Sequence, residues 1–147
     1  MNILFVCTGN TCRSPMAEGL FNNYFKQSKL NNASSAGISV ISGSKVSKNS
    51  VETLKAYDID ISCHIPRQLT EDMLKEYDLV ITMSRSHKDF IISFWPKYSD
   101  KIHSFSEYAD SEDIFDPYGC DLDVYKLCAS QINNGITNLI ESLKLNA

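Results

Sequence analysis

Five residues lie between Cys7 and Arg13, in the run Val6-Cys7-Thr8-Gly9-Asn10-Thr11-Cys12-Arg13-Ser14-Pro15. A thiol and a guanidinium at that spacing can close around a phosphoryl group. The apolar run Ile3-Leu4-Phe5-Val6 reads as a strand that delivers the thiol. Gly9 and Asn10 tolerate positive φ angles, which turn successive backbone N–H groups inward as an anion nest. Ser14 reads as a helix N-cap and Pro15 as the first helical residue, so a helix starts there with its positive end on the nest. Arg13 adds a planar fork of donors that matches two phosphate oxygens. A thiol in that field is expected to ionise at neutral pH and act as a nucleophile. Thr8, Gly9, Asn10, Thr11, Cys12 and Ser14 then make up the phosphate-binding loop. The Gly-Lys-Ser/Thr ending of a nucleotide-binding P-loop is missing.

Thiolate attack on phosphorus leaves a cysteinyl-phosphate and a poor leaving group that needs a proton. A general acid must stand near the Cys7 loop, and the same group can later activate water. His64, His87 and His103 are candidates, although a lone histidine more often has a structural or surface role. Asp116 is the better choice. It precedes Pro117, which biases it to an extended conformation and can fix the direction of its carboxyl. Tyr118 beside it could wall a substrate side chain. Asn10 could hold a strained loop through side-chain bonds. The Ser14 hydroxyl could donate to the departing Cys7 sulfur. Cys12 could trap an oxidised Cys7 as a disulfide, or simply pack against the sheet. No metal or cofactor is required, because backbone N–H groups and Arg13 can neutralise the phosphoryl oxygens.

The elements that must carry these residues alternate. Strands are expected at Asn2–Val6, Ser35–Ile41, Leu79–Met83 and Ile102–Phe105. Helices are expected at Pro15–Leu30, with Met16, Leu20, Tyr24 and Phe21 inward, at Ser47–Tyr57, from the Thr70-Glu71-Asp72 cap to Tyr77, at Ser84–Trp95, and from Leu122 to Leu143. Gly135 weakens the last helix and suggests close packing. This order predicts a single α/β domain over 1–147, a parallel sheet with helices on both faces, and a site at the C-terminal strand ends. The Cys7 loop ends the first strand, so fold and motif point to one place. The connection Ser106–Gly119 is long and carries Glu107, Asp110, Glu112, Asp113 and Asp116. Most of these acids belong to a solvated loop, but loops of that length often carry function.

The net charge of −4 argues against a nucleic-acid or anionic-membrane surface. No apolar run approaches the ~20 residues of a membrane span, and the N-terminal run is too short for a signal peptide. Five cysteines without disulfide-scaffold spacing fit a reducing, cytoplasmic setting. Cys63-His64, Cys120 and Cys128 lack paired metal-ligand spacing and read as buried structural residues. The chain is expected to act as a monomer.

With these motifs in view, the chain resembles the low-molecular-weight protein tyrosine phosphatase family over nearly its whole length. The resemblance rests on Cys7 to Pro15, on Ser35-Ala36-Gly37, on His64 with Arg67-Gln68-Leu69, and on Asp116-Pro117-Tyr118. It implies a four-stranded parallel sheet and phosphorylated proteins as substrates. It also implies Cys7 as nucleophile, Arg13 as phosphate ligand and Asp116 as general acid, with Asn10, Ser14, Ser35 and His64 as a supporting network. Thr11 stands where tyrosine-specific members usually carry isoleucine, and Gly119 where many carry a second aromatic. Both features resemble the bacterial protein-arginine phosphatase branch, with protein-tyrosine phosphatase as the alternative. Thiol-dependent arsenate reductases resemble the opening loop too, but they need relay cysteines after the third strand. Met83-Ser84-Arg85-Ser86-His87 has none.

Overall fold

The computed structural model describes residues 1–108 and 112–146; Asp110 of the acidic run lies outside them, as does Ala147 at the expected domain end. Four strands, β1 (Asn2–Cys7), β2 (Asn32–Gly37), β3 (Leu79–Thr82) and β4 (Ile102–Ser104), form one parallel sheet in the order β2-β1-β3-β4. Among the described residues five α-helices accompany them: α1 (Arg13–Tyr24), α2 (Lys48–Lys55), α3 (Glu71–Glu76), α4 (Arg85–Phe94) and α5 (Leu122–Ser142).

The unbroken apolar run of β1 reflects burial of both its faces. Ile3, Phe5 and Cys7 join a core with Met16, Leu20 and Phe21 of α1 and with Tyr125, Ile132 and Ile136 of α5. Leu4 and Val6 point the other way, into a second core with Leu74 of α3 and Ile91 of α4. The side-chain period of two therefore divides one strand between two helical layers. Strand order reverses at β1, and Cys7 is its last residue, so the loop opens at the switch point of the sheet. Among the described residues no helix is long and apolar enough to cross a membrane.

Most elements lie within two residues of their expected bounds; two differ for physical reasons. Helix α1 ends at Tyr24 rather than Leu30. Beyond buried Phe25 the segment Lys26-Gln27-Ser28-Lys29 offers nothing to bury, and the chain turns back into β2. Tyr24, expected inward, is exposed, and Phe21 takes the inner position. Strand β2 begins and ends earlier than Ser35–Ile41, because its register matches Asn32–Gly37 to Asn2–Cys7. The apolar residues that suggested a longer strand leave the sheet. Ile38 and Ser39 donate their backbone N–H groups to the carbonyls of Cys7 and Thr8, at 3.0 and 2.9 Å, and Ile41 is exposed.

Gly135 faces the ring of Phe105, and a Cβ there would overlap the ring edge. Phe105 is fully buried and stacks on Phe5 with centroids 5.8 Å apart, so it has no room to yield. Gly135→Ala therefore sets a helix-propensity gain of ~1 kcal/mol against an overpacking cost of ~1–3 kcal/mol. The expected outcome is net destabilisation, read as a lower urea midpoint; a midpoint raised by the substitution would contradict this packing.

Candidate active site

The loop from Cys7 to Arg13 hangs on Asn10, which is fully buried and has φ 56°. Its side-chain amide donates to Ser14 Oγ at 2.8 Å and to Ser35 Oγ at 2.9 Å. Its Oδ1 accepts the backbone N–H of Arg67 at 3.0 Å and lies 3.1 Å from His64 Nε2. The other ring nitrogen of His64 is 3.5 Å from Glu18 Oε2. The Asn10 backbone N–H in turn points at Cys7 Sγ, 3.3 Å away, and Ser14 Oγ is 2.9 Å from that sulfur. The expected supporting set of Asn10, Ser14, Ser35 and His64 thus meets around one amide.

Two local expectations are corrected. Asn10 alone in the loop has positive φ; Gly9 does not, and a Cβ on it would meet only Thr11 Oγ1 at 3.7 Å. The glycine leaves the mouth of the loop uncovered rather than permitting a turn. Ser14 is not the N-cap. The cap position falls on Cys12, which makes no side-chain cap bond, and Ser14 sits inside the first turn. Its hydroxyl faces Cys7 and Asn10, so no side chain occupies the helix N–H groups near the loop.

Gly37, at the end of β2, explains the small residues of that strand. A Cβ on it would stand 2.6 Å from the Thr8 carbonyl oxygen and 3.0 Å from the Asn10 nitrogen. Only glycine lets the sheet pass this close beneath the loop.

Arg13 is buried, and its guanidinium reaches toward the acidic connection. One nitrogen donates to the Ile114 carbonyl at 3.1 Å, and the other stands 3.6 Å from Asp116 Oδ2. Asp116 Oδ1 accepts the Tyr118 backbone N–H at 3.1 Å, so the carboxyl is held from both sides. Tyr118 is 77% exposed, and Gly119 has φ 77°, where an aromatic residue would be strained. A cavity of about 760 Å³ opens between these groups. Cys7, Thr8, Thr11 and Arg13 of the loop line it together with Asp116 and Tyr118 of the acidic connection. It is large enough for a phosphorylated side chain.

Three further residues belong to the site: Arg67, which the sequence offered only within a motif, His87, read there as a candidate acid, and Tyr125, which nothing in the sequence marked. Arg67 donates to the Ser35 carbonyl and to Tyr77 Oη, both at 3.0 Å, which fixes the segment that reaches Asn10. Tyr125 of α5 places its hydroxyl 3.2 Å from Cys12 Sγ and 3.1 Å from Ser47 Oγ; burial first, and Cys12 second, push its pKa up to about 12. His87 is buried, 2.9 Å from Thr8 Oγ1 and 2.8 Å from Ser84 Oγ. Burial, and then the Arg13 guanidinium, lower its pKa to about 4. His103 lies elsewhere, paired with Glu107 at 3.1 Å. Of the cysteines read as buried structural residues, only Cys128 is buried, and burial pushes its thiol up to about 12; Cys63 is exposed and Cys120 half-buried. Among the described residues no group of His, Cys, Asp and Glu is disposed to hold a metal.

Residues 2–147 match the family model described as low molecular weight phosphotyrosine protein phosphatase. A protein-arginine-phosphatase of Bacillus subtilis is 38% identical over 147 residues, covering 98% of this chain and 97% of its own. A low molecular weight protein tyrosine phosphatase structure from T. tengcongensis is 47% identical with TM-score 0.91, covering 97% of this chain and 99% of its own. A structure of the YwlE arginine phosphatase, a mutant with a phosphorylated active-site serine, is 36% identical with TM-score 0.91, covering 99% and 97%.

The environment of His87 sets a pH dependence. Its folded pKa of about 4 lies below the ordinary 6.5, so the unfolded chain takes up the proton first as pH falls. Stability from this group is intact above pH ~6.5, declines as pH falls toward about 4, and levels off below that, by ~1–3 kcal/mol in all. Urea unfolding of wild type and His87→Gln from pH 7 to 4 should show the wild type losing more stability over that window. Parallel curves would mean that His87 is not held neutral.

Proposed function

We propose that this chain, which belongs to the low-molecular-weight phosphotyrosine protein phosphatase family, removes phosphate from phosphoarginine on proteins, with Cys7 as nucleophile, Arg13 as phosphate ligand and Asp116 as general acid. The protein is a cysteine-dependent phosphatase acting on phosphorylated proteins. In this reading Cys7 Sγ attacks phosphorus while the P–N bond to the guanidine breaks, and the leaving nitrogen takes the Asp116 proton. A water then attacks the cysteinyl-phosphate, Asp116 takes its proton, and the S–P bond breaks to release inorganic phosphate. Ser14, at 2.9 Å, stabilises the departing sulfur. The donors of the loop and the fork of Arg13 meet the charge on the phosphoryl oxygens.

The observation that carries the choice of phosphoarginine is a pair of oxygen acceptors among the cavity-lining residues, on Thr11 and Asp116. Thr11 lines the cavity with its Oγ1 3.6 Å from Cys12 Sγ, and the half-exposed Asp116 carboxyl faces the same space. A guanidinium presents N–H donors in a plane and needs oxygen acceptors beside it. The name of the Bacillus relative supports the same substrate. A phosphotyrosine reading is favoured by one feature, the exposed Tyr118 ring at the rim, and by the name of the T. tengcongensis structure. Cys12 is the partner this reading assigns to an oxidised Cys7, once its sulfur leaves the Tyr125 hydroxyl. The five cysteines are all unpaired, which supports a reducing, cytoplasmic setting.

Cys7→Ser should abolish turnover yet keep vanadate binding, since the hydroxyl preserves shape and is not ionised at neutral pH. Retained hydrolysis would remove Cys7 from the role. Asp116→Asn should slow substrates with poor leaving groups most and activated aryl phosphates least, because the amide keeps the shape and has no proton to transfer. A uniform loss across leaving groups would point to a structural part for Asp116.

Thr11→Ile tests the substrate. Losing one polar contact that leaves a buried donor unpaired costs ~1–3 kcal/mol, about a ten- to hundredfold change in a ratio of rates. The ratio of kcat/KM on a phosphoarginine and a phosphotyrosine peptide of one sequence should shift toward phosphotyrosine by about that factor. A wild type that already favours phosphotyrosine would make this a tyrosine phosphatase.

A further inference from the structure

Thr8 is the residue of the loop next to the nucleophile, and its side chain is exposed to the cavity. Its hydroxyl is nevertheless not free to turn, because His87 Nε2 stands 2.9 Å behind it. His87 is fixed in its turn. Its Nδ1 is 2.8 Å from Ser84 Oγ, the N-cap of α4, and that oxygen also lies 2.9 Å from Ser86 Oγ. A relay whose middle, Ser84 and His87, is buried thus runs from the start of α4 to the cavity wall. We propose that His87 is a positioning residue that receives the Thr8 O–H, turning the lone pairs of Thr8 Oγ1 into the cavity as an acceptor for the substrate guanidinium. This rests on the phosphoarginine reading and adds a second selecting position to Thr11.

One tautomer of the relay leaves Thr8 only lone pairs to offer a guanidinium. A neutral imidazole has one N–H and one bare nitrogen. With the N–H on Nδ1, His87 donates to Ser84 Oγ, Ser84 donates to Ser86 Oγ, and bare Nε2 accepts from Thr8. Thr8 then has no proton left to aim at the substrate, only lone pairs. An imidazolium could not hold this arrangement, since both of its nitrogens donate. The burial of His87 and its proximity to Arg13 keep it neutral, with a pKa of about 4. The ester oxygen of phosphotyrosine carries no N–H or O–H, so such an acceptor does nothing for it. The contact therefore acts on the choice between substrates more than on the chemistry at phosphorus.

The test is the ratio of kcat/KM on two peptides of identical sequence, one carrying phosphoarginine and one phosphotyrosine. Thr8→Val keeps the shape and removes the acceptor, and should lower the arginine-to-tyrosine ratio by about tenfold. Thr8→Ser should retain the ratio to within about twofold. His87→Leu removes the group that orients the hydroxyl, and should move the ratio in the same direction as Thr8→Val. His87→Gln supplies a side-chain oxygen that can accept the Thr8 O–H, and should recover most of the loss. Combining Thr8→Val with His87→Leu should lower the ratio no further than Thr8→Val alone, because both act through one hydroxyl. If His87→Leu does not fold, the Thr8→Val and Thr8→Ser pair with His87→Gln decides. A wild type that prefers phosphoarginine and keeps its ratio in Thr8→Val overturns the assignment of Thr8 while the proposed function stands. A ratio lost in Thr8→Val but intact in a folded His87→Leu overturns the part given to His87. A wild type that prefers phosphotyrosine overturns both the inference and the reading beneath it.

Discussion

The site depends on one amide. Asn10 carries two N–H donors and an oxygen with two lone pairs, and all four find partners from three segments: Ser14 of α1, Ser35 of β2, and His64 and Arg67 of the connection before α3. A buried amide satisfied this fully has no competing orientation, because every rotation leaves a buried polar group unpaired at a cost of ~1–3 kcal/mol each. That offsets the left-handed backbone at φ 56°, which costs a non-glycine residue ~1–2 kcal/mol. Aspartate would keep the acceptors and lose both donors. Glycine would keep the backbone and lose everything else. Asparagine is the residue that satisfies both demands.

The rest of the loop follows from this fixed point. With Asn10 held, its own N–H aims at Cys7 Sγ, and Ser14 is drawn inward, away from the capping position that its residue type suggests. The first turn of α1 is left without a side-chain cap, which would be a defect in an ordinary helix. Beside a thiol that must receive a dianionic group, unpaired N–H groups are the useful outcome. A stronger helix and a working anion pocket are therefore in competition at Ser14, and the pocket prevails.

What could be read from the chain divides along this line. Strand β1 was legible because burial on two faces demands an unbroken apolar run, and the helix starts at Ser47, Thr70, Ser84 and Asp121 were legible because each caps locally. Strand β2 was misplaced because its small residues answer to the close approach of Gly37 to Thr8 and carry no hydrophobic period. The cap at Ser14 was misread because its partners are tertiary. Within the site, the thiol, the guanidinium and the carboxyl announced themselves by type and spacing, and the family motifs pointed to Asn10, Ser14, Ser35 and His64. The contacts of His87, Arg67 and Tyr125 were not marked in this way. His87 lies 79 positions from Thr8, Arg67 lies 57 from Asn10, and Tyr125 lies 113 from Cys12. Such pairings have no local periodicity to betray them; only the parallel sheet, which gathers distant loops at one edge, brings them together.

The acidic connection shows how a long loop can still hold one carboxyl in place. Its described part is pinned at Ile114, which is buried and bonded on both sides: its N–H to the Met83 carbonyl at 2.9 Å and its carbonyl to Arg13 at 3.1 Å. Gln131 of α5 adds a second clamp, donating to the Asp113 carbonyl at 2.9 Å and accepting the Phe115 N–H at 3.1 Å. Asp116 thus begins one residue beyond a clamped segment, and Pro117 limits how it leaves. Arg13 joins the two halves of the site. With one nitrogen on the backbone of this connection and the other toward Asp116, it ties the Asp116 carboxyl to the loop that carries Cys7. In the proposed mechanism a phosphate on Cys7 would compete with Asp116 for the same guanidinium. A lysine at position 13 could supply the charge but not the two directions, and holding the Ile114 carbonyl and the Asp116 carboxylate together requires both.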